Sequence, residues 1–205
     1  MELAVGLTVV TIASVVERFG EVTAFPVLLR RLAQRRGLSV VVTEPHRIGR
    51  PDMLIPARIS AATRVQLARC RGQGGVLVLL DADDDCPTEL HAVMQPALEG
   101  MGVVQVVAAK REYEAWFLAG FSSLSMHPLI SPGAIAPADP ERPRDAKGVF
   151  NTLLNGKYRE TVHQAKFSAQ LDLDEPVALS GVGPEHNAAK LGSDPRTWPD
   201  VRVAS

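Results

Sequence analysis

Gly74–Pro87 reads GGVLVLLDADDDCP, and the fold turns on it. Five aliphatic residues, Val76 to Leu80, run into a cluster of acids: Asp81, Asp83, Asp84 and Asp85. A short apolar run bounded by glycines and turn residues fits a strand buried on both faces, as in a parallel sheet. Asp81 then stands where the strand meets solvent, and ligands of open α/β sheets bind beyond the carboxyl ends of strands. In extended backbone Asp81 and Asp83 point the same way. Carboxylates that close repel unless a cation or proton lies between them. The stretch therefore reads as a divalent-metal site at a strand end. Asp84 or Asp85 is expected to cap the helix that starts near Pro87. An EF-hand loop is excluded, because the positions that need Gly and Glu hold Cys86 and Ala92. On this stretch alone, a haloacid-dehalogenase-type phosphatase and a nucleotide-sugar transferase stay open.

The totals narrow the classes. A chain of 205 residues is one domain, or one domain with a small addition. The 46% hydrophobic and 22% charged content is that of an ordinary globular protein. A net charge of −1 gives no global attraction to nucleic acid or acidic lipid. Cys70 and Cys86 make no zinc spacing and suggest a reducing cytoplasm. The uncharged N-terminal stretch 3–16 is too short to span a bilayer, and Glu2 without early basic residues argues against a secretory signal.

Outward from the acidic strand, Val9 to Val16 is apolar and β-branched, a first strand ending at Glu17. Glu21 to Arg36 follows as a helix with Val22, Phe25, Leu28, Leu29 and Leu32 at helical spacing, and its basic end complements the helix dipole. Leu38 to Val42 is a second strand, and Glu44 to Pro56 a loop that carries His46, Arg47 and Arg50, with Arg58 just beyond it. Ser60 is expected to cap a helix over Ala61 to Arg71, with Val65, Leu67 and Ala68 inward. After the acidic strand come a helix over Pro87 to Gly100 and a fourth strand, Val103 to Ala108.

This alternation predicts an α/β fold: a mostly parallel four-stranded sheet flanked by helices. If strands one and three are neighbours, Glu17, Asp81 and Asp83 converge on one crevice. In KREYEAWFLAGF, 110–121, a short amphipathic helix places aromatics on the sheet, and Glu112 or Glu114 is a candidate to close the metal site. The proline-rich stretch 131–144 reads as a loop, and helices are expected over Lys147 to Asn155 and Tyr158 to Leu171. Residues 176–205 read as irregular. The chain thus divides into an α/β domain (1–122), a proline-rich loop (123–145), a helical C-terminal extension (146–175) and an irregular tail (176–205).

An acid ending strand one, a DxD ending a later strand and βα alternation between them resemble the TOPRIM domain of topoisomerases, primases and nucleases. More closely, VVERFGEVTAFPVLLRRL, VLVLLDADDDCP, REYEAWFLAG and GKYRETVHQAKFSAQLDLDEP resemble the bacterial family labelled domain of unknown function 4276, over about residues 8–175. The resemblance implies a TOPRIM-like (Rossmann-like) fold, and Mg²⁺ or Mn²⁺ held by Glu17, Asp81 and Asp83. In TOPRIM enzymes the Glu is usually assigned acid/base work while the DxD acids carry the metal. The family is similar in arrangement to anti-phage nuclease systems in which the gene stands beside an ABC/AAA-type ATPase. Two positions depart from it: the usual Gly after the strand-one acid is Arg18, and the family's C-terminal string is not recognisable after Pro176.

The expectation is a metal-dependent nuclease acting on DNA or RNA in the cytoplasm, with no membrane association and with an ATPase partner. Asp85, Glu21, Glu112 and Glu114 are candidates for further metal contacts, and a homodimer is one assembly left open. Two alternatives stand beside it: a catalytically silent regulatory or toxin-like subunit that binds the ATPase, and a DxD-type phosphatase.

Overall fold

The computed structural model describes residues 9–173. The chain runs β1 (Val10–Val16), α1 (Glu21–Arg35), β2 (Val40–Val42), β3 (His46–Arg47), α2 (Arg50–Met53), α3 (Pro56–Cys70), β4 (Gly74–Asp81), α4 (Pro87–Leu98) and β5 (Val104–Ala109). It continues with α5 (Glu114–Ala119), α6 (Phe121–Leu124), α7 (Ala146–Thr152) and α8 (Glu160–Gln170). The sheet order is β2-β1-β4-β5, with β3 also on β1, and every named pairing is parallel.

The sheet therefore has five strands and not four. The added strand is His46–Arg47, in the stretch read as a loop. β2 pairs the start of β1, Val10 to Ile12, and β3 its end, Val15 and Val16. Two residues carry no periodicity, so only the neighbouring β1 edge makes them a strand.

β4 is buried on both faces, as its unbroken aliphatic run requires. Leu77 and Leu79 join Ile12 and Val16 under α1, α5, α7 and α8. Val76, Val78 and Leu80 join Ala13 and Val15 under α3 and α4. The alternation follows from the two-residue period of a strand. Gly74 starts β4 at φ 142°, where a Cβ would lie 1.8 Å from the Thr11 carbonyl oxygen. Only glycine lets the two strands meet there.

α3 corrects the sequence reading at both its start and its face. It begins at Pro56, and Ser60 lies inside it with its hydroxyl donating to the Ala97 carbonyl of α4 at 2.6 Å. Its buried side is Ile59, Ala62, Thr63, Gln66 and Cys70, while Val65 and Ala68 are exposed. Buried Thr63 and Gln66 disguise that stripe, because an apolar count passes over them. Nor does Asp84 or Asp85 cap α4, which has Cys86 at the capping position and no side-chain cap bond.

Beyond β5 the chain covers the α1 face of the sheet. Phe117, Phe150 and Phe167 pack together, with Phe150 and Phe167 at 4.9 Å between centroids. α8 lies along α1, and Arg31 of α1 donates to the Ser168 and Leu171 carbonyls at 2.7 and 2.6 Å. One of the basic residues read as compensating α1's own dipole thus satisfies the carboxyl end of α8. Residues 131–144 contain no helix or strand, in line with their prolines. The expected tail, 176–205, lies outside the described residues. Among the described residues no helix is long and apolar enough to cross a membrane.

Candidate functional site

β1 and β4 are adjacent, yet the chain leaves them in opposite directions: from β1 outward to β2, and from β4 outward to β5. A crevice forms at the carboxyl ends of strands where the connections diverge, the usual ligand site of open α/β sheets. Glu17 follows β1 and Asp81 closes β4, so both acids stand at that point. The Asp81 amide donates to Glu17 Oε2 at 3.2 Å, a direct link between the two strand ends.

Both acids are almost fully buried. Asp81 Oδ1 accepts from the Tyr113 amide at 2.9 Å, and Oδ2 from Arg18 Nε at 3.1 Å. Arg18 Nε also lies 3.2 Å from Glu17 Oε1, and its Nη2 3.6 Å from Asp83 Oδ1. Arg50, the first residue of α2, reaches in from the other side. Its Nη1 lies 3.5 Å from Glu17 Oε2 and 3.7 Å from Asp83 Oδ2 and donates to the Asp81 carbonyl, while Nη2 pairs with Asp85. Two guanidinium groups are thus threaded between four carboxylates.

Asp83 reaches the cluster by a route the spacing did not foresee. β4 ends at Asp81, and Asp83 turns into the left-handed region at φ 50°. The two-residue alternation therefore does not align it with Asp81. Its amide instead donates to the Arg111 carbonyl at 2.8 Å, and Arg111 itself stands at φ 69°. Such conformations cost about 1–2 kcal/mol each for a residue with a Cβ, and they concentrate where surrounding contacts hold functional loops. Arg111 Nη1 also donates to the Asp83 carbonyl and to Asp84, and Arg144 pairs with Asp84 from the proline-rich loop.

The secondary candidates separate. Glu21 lies beneath the site, with Oε2 accepting from the Glu17 and Arg18 amides at 2.9 Å and Oε1 buried without a hydrogen-bond partner. Glu112 turns aside to accept from the Lys147 amide at the start of α7. Glu114 is buried under the helices: Tyr158 Oη donates to it at 2.8 Å and Gln164 Nε2 at 3.3 Å. Glu112 and Glu114 thus spend their hydrogen bonds on the C-terminal helices.

Electrostatically this is a strained acid cluster. Burial raises the Glu17 carboxyl above its ordinary value, against the pull of Arg18 and Arg50. Burial pushes Asp81 well above the usual carboxylate range, and the neighbouring charge of Glu114 adds to it. Glu21 moves the same way, through burial and then the charge of Asp81. Burial works against the charge of Arg18, but Asp81, Glu17 and Asp83 outweigh it and hold the guanidinium ionised.

The donors suit a hard dication, since all are carboxylate oxygens, and the orphaned Glu21 Oε1 adds an unsatisfied acceptor to the same cluster. Among the described residues, however, no three His, Cys, Asp or Glu side chains are grouped so as to hold a metal ion. Arg18 entered the sequence reading only as a departure from a family pattern, and Arg50 only as one of several loop arginines. Arg111 and Arg144 were not foreseen, because nothing in their local sequence couples them to Asp84. On the same rim Phe19 is 60% exposed, with the Arg47 guanidinium 3.7 Å from its ring centroid. No protein-family model, characterised protein or solved structure matches the chain.

Proposed function

We propose that the chain hydrolyses phosphodiester bonds of nucleic acid at the crevice between β1 and β4, in the manner of a TOPRIM-type nuclease. The observation that carries this is the meeting of Glu17 and Asp81, from adjacent parallel strands, at the point where the sheet's connections diverge. Glu17, Asp81 and Asp83 are the residues that would hold Mg²⁺ or Mn²⁺. Such an ion, when bound, neutralises charge on the phosphate and lowers the pKa of an attacking water.

The chain's own groups do the rest. The Tyr113 amide fixes the Asp81 carboxylate, and the Asp81 amide fixes Glu17. Glu17, its proton affinity raised by burial against the pull of Arg18 and Arg50, is the group placed to act as general base. A DxD-type phosphatase would draw on the same strand-end acids, and turnover of a small phosphomonoester with no action on polynucleotide would favour it. The net charge of −1 leaves nucleic-acid affinity to local groups and to a partner; the ABC/AAA-type ATPase and bacterial defence role that the family resemblance implies belong to the same proposal.

One observation favours a second reading. Arginines already neutralise the acids, as they would in a catalytically silent subunit that only binds its partner. The test is incubation of the purified chain, with and without the ATPase, with plasmid DNA and tRNA in Mg²⁺ or Mn²⁺. Cleavage by the wild type and not by Asp81→Ala supports the nuclease. ATPase binding with no cleavage under either metal supports the silent subunit.

A further inference from the structure

Arg18 touches three carboxylates, those of Glu17, Asp81 and Asp83, at 3.2, 3.1 and 3.6 Å. Arg50 touches Glu17, Asp83 and Asp85 from the opposite side. Two of the three acids that would hold a dication, Glu17 and Asp83, are therefore shared between both guanidiniums, and the third is held by Arg18. The guanidiniums and a dication would draw on the same carboxylate oxygens, which cannot satisfy both at once.

Neither arginine side chain is fully buried: Arg18 keeps 35% and Arg50 20% of its exposure, so both reach solvent at the crevice although Arg50 also donates to the Asp81 carbonyl. Each presents a planar fork suited to phosphate as well as carboxylate. Both come from segments just beyond the site: Arg18 from the β1–α1 turn and Arg50 from the start of α2. Released from the acids, both would remain at the mouth of the crevice.

Building on the nuclease reading, we infer that Arg18 and Arg50 are an exchangeable phosphate clamp: they neutralise the acids of the metal-free chain and pass to the phosphodiester when a dication takes the carboxylates. Metal and polynucleotide then bind with positive coupling, and the coupling runs through these two side chains. Arg18, directly after Glu17, is on this account a working part of the site.

The test separates the two ligands and needs no turnover. Mn²⁺ binding is measured by the loss of the free-ion electron paramagnetic resonance signal. Binding of a short single-stranded phosphorothioate oligonucleotide is measured by fluorescence anisotropy, in chelator and in saturating Mn²⁺. In the wild type, Mn²⁺ is expected to tighten oligonucleotide binding about tenfold. Arg18→Gln and Arg50→Gln should each bind Mn²⁺ several-fold more tightly, because a competitor for the carboxylates is gone. Each should also lose most of the Mn²⁺-induced gain in oligonucleotide affinity, whereas Arg58→Gln, on the exposed face of α3, should change neither.

Unchanged or weaker Mn²⁺ binding in both variants would overturn the clamp, as would an undiminished Mn²⁺ effect on the oligonucleotide. Should a variant fail to fold, the wild type still decides: equal oligonucleotide affinity with and without Mn²⁺ sinks the inference. If the wild type and both variants all fail to bind Mn²⁺, the metal-dependent nuclease reading falls and takes the clamp with it. Mn²⁺ binding that depends on Asp81 but ignores both arginines removes the clamp alone.

Discussion

Glu114 shows how one side chain can set the pH response of the molecule. Burial pushes its carboxyl up to about 7 from an ordinary 4.5, only partly offset by Lys147 and the Tyr158 hydroxyl. A folded pKa above the unfolded one means the native chain holds the extra proton between those values. Stability from this group is then complete below about pH 4.5 and lost as pH rises to about 7, a change of about 3 kcal/mol. Asp81 and Glu21 shift in the same direction and steepen the loss. Urea unfolding at pH 5 and pH 8 should show greater stability at pH 5. Glu114→Gln should flatten the difference and raise stability at pH 8. A wild type more stable at pH 8 than at pH 5 would contradict this.

Two glycines make a sharper comparison. A Cβ at Gly37, which stands at φ 63°, would meet nothing within 4 Å, whereas one at Gly74 would lie 1.8 Å from the Thr11 backbone. Gly37→Ala should cost about 1 kcal/mol, from backbone strain alone. Gly74→Ala adds a collision between two central strands and should cost more than about 3 kcal/mol or prevent folding. Equal midpoints in denaturant titration would show that β1 and β4 are not this close.

Among the secondary-structure elements, the seating of α8 on α1 is the contact most exposed to single changes. Gly20 precedes α1, and a Cβ there would stand 2.3 Å from Gln164 Oε1 and 2.9 Å from the Glu160 Cβ on α8. Arg31 ties the other end of the pair by two hydrogen bonds to α8 carbonyls. Gly20→Ala should cost about 1–3 kcal/mol by forcing the helices apart. Arg31→Ala should cost about 1–2 kcal/mol, because two carbonyls at a helix end lose a charged donor. Thermal melts should register both, and amide exchange should quicken in α8 before β4. Uniform quickening throughout the chain would argue against a local loosening.

For the molecule as a whole, the question is whether the helices after residue 145 can be removed. Phe150 of α7 and Phe167 of α8 are fully buried, in one cluster with Phe117, Leu77, Leu79 and Val16. Burial of a large apolar side chain contributes about 1.5–3 kcal/mol, and net stabilities are only about 5–15 kcal/mol. Losing Phe150, Leu153, Leu154, Tyr158 and Phe167 together therefore removes as much as the fold has to spare. A fragment spanning 1–145 should show no cooperative thermal transition by circular dichroism. A cooperative melt would mean that the α/β part folds alone.

Local pattern carried the architecture. The aliphatic run at 76–80, and the largely apolar runs at 10–16 and 104–108 interrupted by Thr11, Ser14 and Gln105, are best hidden between two layers of helix, which favours parallel strands with their carboxyl ends on one edge. The acids at those ends, Glu17 and Asp81, were legible for the same reason: each is the first charge after such a run. What local pattern could not carry was anything set by a partner distant in the chain. His46–Arg47 is a strand only because β1 lies beside it. Thr63 and Gln66 face inward although they are polar, and Asp83 joins Asp81 through a left-handed turn tied to Arg111. The choice of counter-charge belongs here too: Arg18, Arg50, Arg111 and Arg144 meet the acids through folding alone. Burial and ion pairing depend on what the other segments bring, and that is decided only once the sheet and its covering helices are assembled.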